Sequence, residues 1–326
     1  MKEALTFDDV LLVPQFSDIA SRTQVDISTQ LGSIKLKVPI ISANMDSITE
    51  EEMAKAMDDN GGLGILHRYQ DASIVKKWVE HLVAQNRVAV PSIGVQNCDI
   101  EAAEQYKEFT DSICVDVAHG DSLGVCSIVA RLRQMGYKNI IAGNIVTPEA
   151  ADRLFQAGAN IIKVGVGPGS VCTTRIVTGH GYPQLSAIEE VANSTEAWVI
   201  ADGGIRTSGD IVKALAVGAD AVMIGGLFAG CWETPSYDMG SYRGMASADA
   251  QHDYKGRVSN NTAEGVSMKA PNKGTVKNVM DELIGGIRSG FSYTGSRTLE
   301  DFRHKAKLVR ITPNGLAESH PHGLAK

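Results

Sequence analysis

The chain has 326 residues, 43% of them hydrophobic, and a formal net charge of -7, enough to bury a large core as one big α/β domain or two average ones. No apolar run reaches membrane-spanning length, Met1-Lys2-Glu3-Ala4 begins no signal peptide, and no Lys/Arg stripe offers a nucleic-acid surface. A cytoplasmic protein acting on small ligands, with neither membrane nor nucleic acid as partner, is the expectation.

In chain order, short β-branched apolar runs ending in Gly, Asp or Asn predict eight strands: 38–42, 62–66, 88–95, 112–116, 139–143, 160–165, 197–202 and 221–225. Their spacing suits a strand, a turn and a helix of two to four turns, the period of a (β/α)8 barrel. Between them, Pro148-Glu149-Ala150-Ala151-Asp152-Arg153-Leu154-Phe155 opens with a helix-start proline and stops at Gly158, and the segment from Ser208 to Leu215 repeats the device and stops at Gly218. A doubly wound open sheet is the competing architecture, but no Gly-x-Gly-x-x-Gly follows the first strand. The expectation is therefore α/β: one TIM-barrel domain over 1–326. Past Cys231 the repeat breaks, and the polar run from Ala246 to Asn261 predicts a mobile active-site flap within 231–270.

Barrel enzymes work at the carboxyl ends of their strands and often hold phosphate after strands seven and eight. Here those strands end in Asp202-Gly203-Gly204 and Gly225-Gly226, which offer bare backbone amides to an anion. After the sixth strand, Gly167-Pro168-Gly169-Ser170-Val171-Cys172-Thr173-Thr174-Arg175 sets a thiol in a glycine-braced loop, making Cys172 a candidate nucleophile. The other cysteines, at 98, 114, 126 and 231, lack Cys-x-x-Cys spacing and read as reduced structural thiols, and no His/Cys/Asp cluster has metal-ligand spacing.

That loop, followed by Thr178-Gly179-His180-Gly181-Tyr182-Pro183-Gln184, closely resembles the catalytic loop of the IMP dehydrogenase/GMP reductase family. The resemblance continues through Ser42-Ala43-Asn44-Met45-Asp46, Ala201-Asp202-Gly203-Gly204-Ile205-Arg206, Tyr242-Arg243-Gly244-Met245 and Gly285-Gly286-Ile287-Arg288-Ser289. Within the family the wording leans to the reductases. Leu66-His67-Arg68-Tyr69 runs to Val75-Lys76-Lys77-Trp78 with no room for CBS modules, and the flap stretch Gln251-His252-Asp253-Tyr254-Lys255-Gly256-Arg257 lacks the Arg-Tyr pair that activates water in dehydrogenases. Tyr182-Pro183-Gln184-Leu185-Ser186-Ala187 and Asn44 are also reductase-like, whereas Asp116-Val117-Ala118-His119-Gly120 and Leu66-His67-Arg68 depart from reductase wording. The segment from Gly315 through Glu318-Ser319-His320 to His322 resembles the dehydrogenase terminus that helps bind a cation across a subunit boundary.

The resemblance implies NADPH-dependent reductive deamination of GMP to IMP and ammonia, through a thioimidate on Cys172, in purine nucleotide salvage. It implies that Thr174 and Glu264 relay protons, that Asp202 holds the sugar hydroxyls, and that Gly203, Gly204, Gly225 and Gly226 with Ser170 and Tyr242 hold the phosphate. Met45 would lie beneath the base, with Gly244 and Met245 beside it. Barrel geometry points Asp116, Ala118, His119 and Asn144 toward the nicotinamide. The resemblance further implies a homotetramer and a monovalent cation such as potassium near Gly167, Gly169 and Cys172. Two alternatives stay open: an IMP dehydrogenase without CBS modules, oxidising IMP to XMP with NAD and using Tyr254 or Arg257 on water, and a nucleotide-binding regulatory protein without turnover.

Overall fold

Eight parallel strands close on themselves in chain order in the computed structural model, which describes residues 2–255, 262–321 and 323. They are β1 (Ile40–Ser42), β2 (Leu63–Leu66), β3 (Val90–Ile93), β4 (Ser112–Asp116), β5 (Asn139–Ile145), β6 (Ile161–Val164), β7 (Trp198–Asp202) and β8 (Ala221–Ile224). Closure comes from β8 lying against β1, with Val222 opposite Ile40 and Ile224 opposite Ser42. Such strands are covered on both faces, which is why they read as unbroken apolar runs; every residue of β6 and of β8 is buried. All eight expected strands are present, with shifted ends. The third shrinks to 90–93, leaving Val88 and Val95 exposed at 39% and 41%, and the fifth extends to Ile145.

Eight helices wrap the barrel: α1 (Glu51–Asp59), α2 (Ala72–Ala84), α3 (Asn97–Tyr106), α4 (Leu123–Gln134), α5 (Pro148–Ala157), α6 (Gln184–Ala192), α7 (Ser208–Ala216) and α8 (Val276–Ser292). The start of α5 has Pro148 in its first turn and Thr147 accepting from the Ala150 amide, and Gly158 caps its end. In α7, Thr207 and Asp210 cap each other reciprocally. The sequence reading ends the repeat at Cys231, but the structure completes it with α8. There Val276, Met280, Leu283, Ile287 and Phe291 are buried at helical spacing and the helix packs on α7 and α1.

The amino end of the barrel is plugged. A hairpin of Thr29–Leu31 and Ile34–Leu36 drives Leu31, Ile34 and Leu36 into the cluster formed by Ile41, Ile65, Ile141 and Ile200, while Ser33 exchanges hydrogen bonds with Asn139 at the start of β5. The carboxyl end stays open under the segment between β8 and α8. That segment carries helices Pro235–Met239 and Ala248–Lys255 and a ribbon in which Ser241–Arg243 pairs with Ser267–Lys269. Residues 256–261 of the expected flap, Arg257 among them, lie outside the described residues, as does His322. Among the described residues no helix is long and apolar enough to cross a membrane.

Candidate active site

A cleft of about 810 Å³ opens at the carboxyl ends of the strands, and the loop after β6 forms one wall. Cys172 donates its amide to Gly169 O at 3.1 Å, which closes a tight turn and holds the thiol up. A strand-like contact then ties the loop to a distant segment: Val266 N donates to Val171 O at 2.9 Å and Thr173 N to Glu264 O at 3.0 Å. This contact delivers the Glu264 side chain. Cys172 Sγ donates to Thr174 Oγ1 at 3.2 Å, and Thr174 Oγ1 donates to Glu264 Oε2 at 2.9 Å. A hydroxyl accepts and donates at once, so the line can carry a proton between sulfur and carboxylate in either direction.

Opposite the thiol, the turns after β7 and β8 bring backbone to the surface. A Cβ at Gly225 would stand 2.8 Å from Tyr242 Oη and 3.2 Å from Met45 Sδ, so only glycine leaves this floor open. Tyr242 is 5% exposed and its hydroxyl reaches Met45 Sδ at 3.9 Å; Met245 Sδ in turn accepts the Asp46 amide at 3.4 Å. Ser170, Gly203, Gly204, Gly226 and Gly244 line the same half. Every expected catalytic and nucleotide-side residue thus borders one cleft.

Charge is concentrated where the halves meet. Asp202 Oδ2 accepts from Asn144 Nδ2 at 2.8 Å and from Lys163 Nζ at 2.7 Å, while Lys163 also reaches Asp116 Oδ1 at 3.0 Å. Burial alone would push the Asp116 carboxyl up, yet the charges of Lys163 and Arg68 outweigh it and hold the group below its ordinary value. Farther out, Arg68 stacks on the Tyr69 ring at 4.5 Å and donates to the Asp116 carbonyl at 3.0 Å. Burial lifts the Tyr69 hydroxyl to about 12. From the cover, Tyr254 packs on Tyr69 at 5.2 Å and donates to Asp46 Oδ2 at 3.0 Å, an oxygen that Arg243 also holds at 2.6 Å.

Asp116, Ala118 and Asn144 line this second half, but His119 is exposed and stands outside the lining. The sequence reading names no role for Lys163, Arg68 or Gln184, all of which border the cleft. A lysine inside the apolar run of β6 was the available signal for the first. The second half suits a nicotinamide: Asn144 Oδ1 is buried without a hydrogen-bond partner, an acceptor ready for a carboxamide N–H. A monovalent cation fits less well. Gly167, Gly169 and Cys172 offer carbonyls from a single loop, and Gly169 O is already engaged by Cys172 N. Among the described residues no group of three His, Cys, Asp or Glu side chains is placed to hold a metal.

Residues 4–322 match the IMP dehydrogenase / GMP reductase domain. The chain is 37% identical over 394 aligned residues to an inosine-5'-monophosphate dehydrogenase of Borreliella burgdorferi, covering 98% of this chain and 97% of that one. It is 38% identical over 381 aligned residues to the inosine-5'-monophosphate dehydrogenase of Cryptosporidium parvum, with 98% and 95% covered. A crystal structure of a cysteine-to-alanine variant of GMP reductase from Trypanosoma brucei, in complex with guanosine 5'-monophosphate, superposes with a TM-score of 0.91 at 29% identity, covering 100% of this chain and 99% of that chain. The chain belongs to the IMP dehydrogenase/GMP reductase family of oxidoreductases, which use a nicotinamide cofactor.

Proposed function

We propose that the chain is a GMP reductase, converting GMP and NADPH to IMP, ammonia and NADP+. Cys172 loses its proton along the line to Glu264 and attacks C2 of the purine. The bond from C2 to the exocyclic nitrogen then breaks, with Glu264 returning a proton through Thr174 so that ammonia leaves. A nicotinamide, which Asp116, Ala118 and Asn144 would hold, would supply the hydride that C2 takes up. The Cys172–C2 bond finally breaks, sulfur keeps the electron pair, and IMP is released. Asp202 with the amides after β7 and β8 holds the ribose phosphate through these steps.

The observation that carries the reductase over the dehydrogenase is the state of the basic and phenolic groups around the cleft. A dehydrogenase must activate water. On the described part of the cover, Arg243 is clamped between Asp46 and Asp253, at 2.6 Å from each, and Tyr254 donates to Asp46. Arg68 and Tyr69 do stand side by side, but a hydroxyl lifted to about 12 by burial is a poor base near neutral pH. The dehydrogenase names of the curated relatives favour the competing reading, and the likeness to the trypanosomal reductase favours this one.

The test is a parallel assay of purified protein with GMP plus NADPH and with IMP plus NAD. Ammonia released in step with NADPH loss is the expected result. Formation of XMP without the GMP reaction would replace the reading with the dehydrogenase, and binding of either nucleotide without turnover would replace it with a regulatory protein. The same reading carries a homotetramer, for which exposed Trp232, Tyr237 and Met268 supply apolar surface; sedimentation velocity reads the assembly.

A further inference from the structure

Lysine is poorly suited to the middle of an apolar strand, since its charge is costly to bury unless paired. Lys163 occupies such a place in β6, between Ile162 and Val164, and is 2% exposed. Its Nζ meets carboxylates from two other strands, Asp202 Oδ2 at the end of β7 at 2.7 Å and Asp116 Oδ1 at the end of β4 at 3.0 Å. The neighbouring strand makes room for it. A Cβ at Gly143 on β5 would stand 2.8 Å from the Lys163 Cβ and 2.5 Å from the Lys163 carbonyl oxygen.

We propose that Lys163 is a positioning residue shared by the two halves of the cleft: its ammonium pairs with the Asp116 and Asp202 carboxylates at once and fixes Asp202 Oδ2, so that Oδ1 meets a ribose hydroxyl. The inference rests on the nucleotide reading above and names the residue through which the ribose carboxylate acts. Lys163 and Asn144 already fill Oδ2, which leaves Oδ1 as the oxygen for a ligand.

The groups around the ammonium support this. From β4 it faces Asp116 and Cys114, and from β7 Asp202; Arg68 and Asn44 act on Asp116 from the loops after β2 and β1, and Tyr69 adjoins them. Burial pushes Cys114 and Tyr69 each to about 12, so both stay neutral. Burial would also lower Lys163, but the two carboxylates outweigh it and its pKa rises. Asp116 is depressed, so its contribution is present above the ordinary carboxylate value and is lost only as pH falls through the lower folded one. Asp116, Lys163, Cys114 and Tyr69 therefore keep their charge states through neutral pH. Without the ammonium, two carboxylates gathered at one point share a proton, and the upper apparent pKa of the pair rises.

The test measures GMP binding by calorimetry on the full chain in a Cys172→Ala background, where the thiol neither reacts nor titrates, between about pH 7 and pH 8.5 in buffers of different ionisation enthalpy. The parent is expected to bind GMP with an affinity set by no proton of this cluster. Lys163→Met is expected to bind at least about tenfold more weakly at pH 7, to tighten as pH rises, and to release a proton on binding. The double variant Lys163→Met/Asp116→Asn, which has no second carboxylate, is expected to lose the pH dependence and to bind more tightly than the single variant at pH 7, keeping only the loss from an Oδ2 held by Asn144 alone. A pH-independent Lys163→Met, or a double variant as weak as the single, overturns the inference. If Lys163→Met is folded but too unstable for calorimetry, melting temperatures decide: a more stable double supports the charge role, and an equal loss in both overturns it. A parent that binds neither GMP nor IMP overturns the nucleotide reading itself, an outcome distinct from the others.

Discussion

The two halves of the cleft are built from different materials. Below β6, β7 and β8 the surface is backbone: the Gly167–Gly169 loop, Gly203-Gly204 and Gly225-Gly226, with hydroxyls from Ser170 and Tyr242. Below β2, β4 and β5 it is side chain, with Arg68 stacked on Tyr69, and with Asp116 and Asn144 beside Lys163. Recognition by backbone demands glycine wherever a ligand must approach closely, whereas recognition by side chains draws on residue types found on any polar surface. The first half is therefore rigidly specified by position, and the second can be varied one side chain at a time.

On the reductase reading the chemistry sits in the backbone half, so the largest effects are expected there. Cys172→Ala is expected to cut turnover at least about ten-thousand-fold while leaving GMP binding within about threefold, since the thiol is needed for bond making and the loop for holding. Stopped turnover together with lost binding would mean that the thiol supports the loop instead. Glu264→Gln comes next, at about 100- to 10,000-fold in ammonia release, because an amide cannot return the proton that passes through Thr174 Oγ1. A variant that releases ammonia normally would place the acid elsewhere and break the relay.

A matched pair of substitutions tests the division of labour directly. Gly225→Ala puts a methyl 2.8 Å from Tyr242 Oη, and it is expected to weaken nucleotide binding about tenfold with the cofactor KM unchanged. Arg68→Met removes the guanidinium over Tyr69 on the other side and is expected to raise the cofactor KM severalfold, up to about tenfold, with nucleotide binding unchanged. If each variant moved both constants equally, the halves would be one energetic unit and the contrast drawn here would be wrong.

The same contrast explains what could be read from the sequence. Strand positions are legible because barrel strands buried on two faces are continuous apolar runs, and the glycine pairs that border the cleft are legible because they stand at strand ends. The helix α8 carries the helical period in Val276, Met280, Leu283, Ile287 and Phe291, but the long insertion after β8 hides its place in the repeat. Lys163 escapes for the opposite reason: strand periodicity treats a buried cation as noise, and its two partners lie 47 and 39 residues away in sequence. His119 adjoins Asp116 in sequence, but the chain leaves the strand there and the residue stands exposed. Nothing local pairs Arg243 with Asp46, 197 residues distant.

The smallest expected effect lies where the cover meets the side-chain half. Asp46 is 4% exposed, and its Oδ2 receives two guanidinium bonds from Arg243, at 2.9 and 2.6 Å, besides the Tyr254 hydroxyl. Tyr254→Phe removes one of three donors and keeps the ring contact with Tyr69, so the carboxylate stays paired and no buried charge is stranded. A single hydrogen bond made by a side chain 41% exposed contributes roughly 1 kcal/mol, which corresponds to a loss of about fivefold in amide-exchange protection across the helix Ala248–Lys255. Protection of β7 and β8 should not move, because nothing in the barrel depends on that hydroxyl. The reductase reading also requires turnover to fall no more than about threefold, whereas a tyrosine that activates water would take hydrolytic turnover down by 100-fold or more, on the order expected for a general base. Exchange loosened over the cover with turnover nearly intact would identify Tyr254 as a tether between the cover and the side-chain half; an unchanged exchange pattern would leave Arg243 alone holding the cover to Asp46.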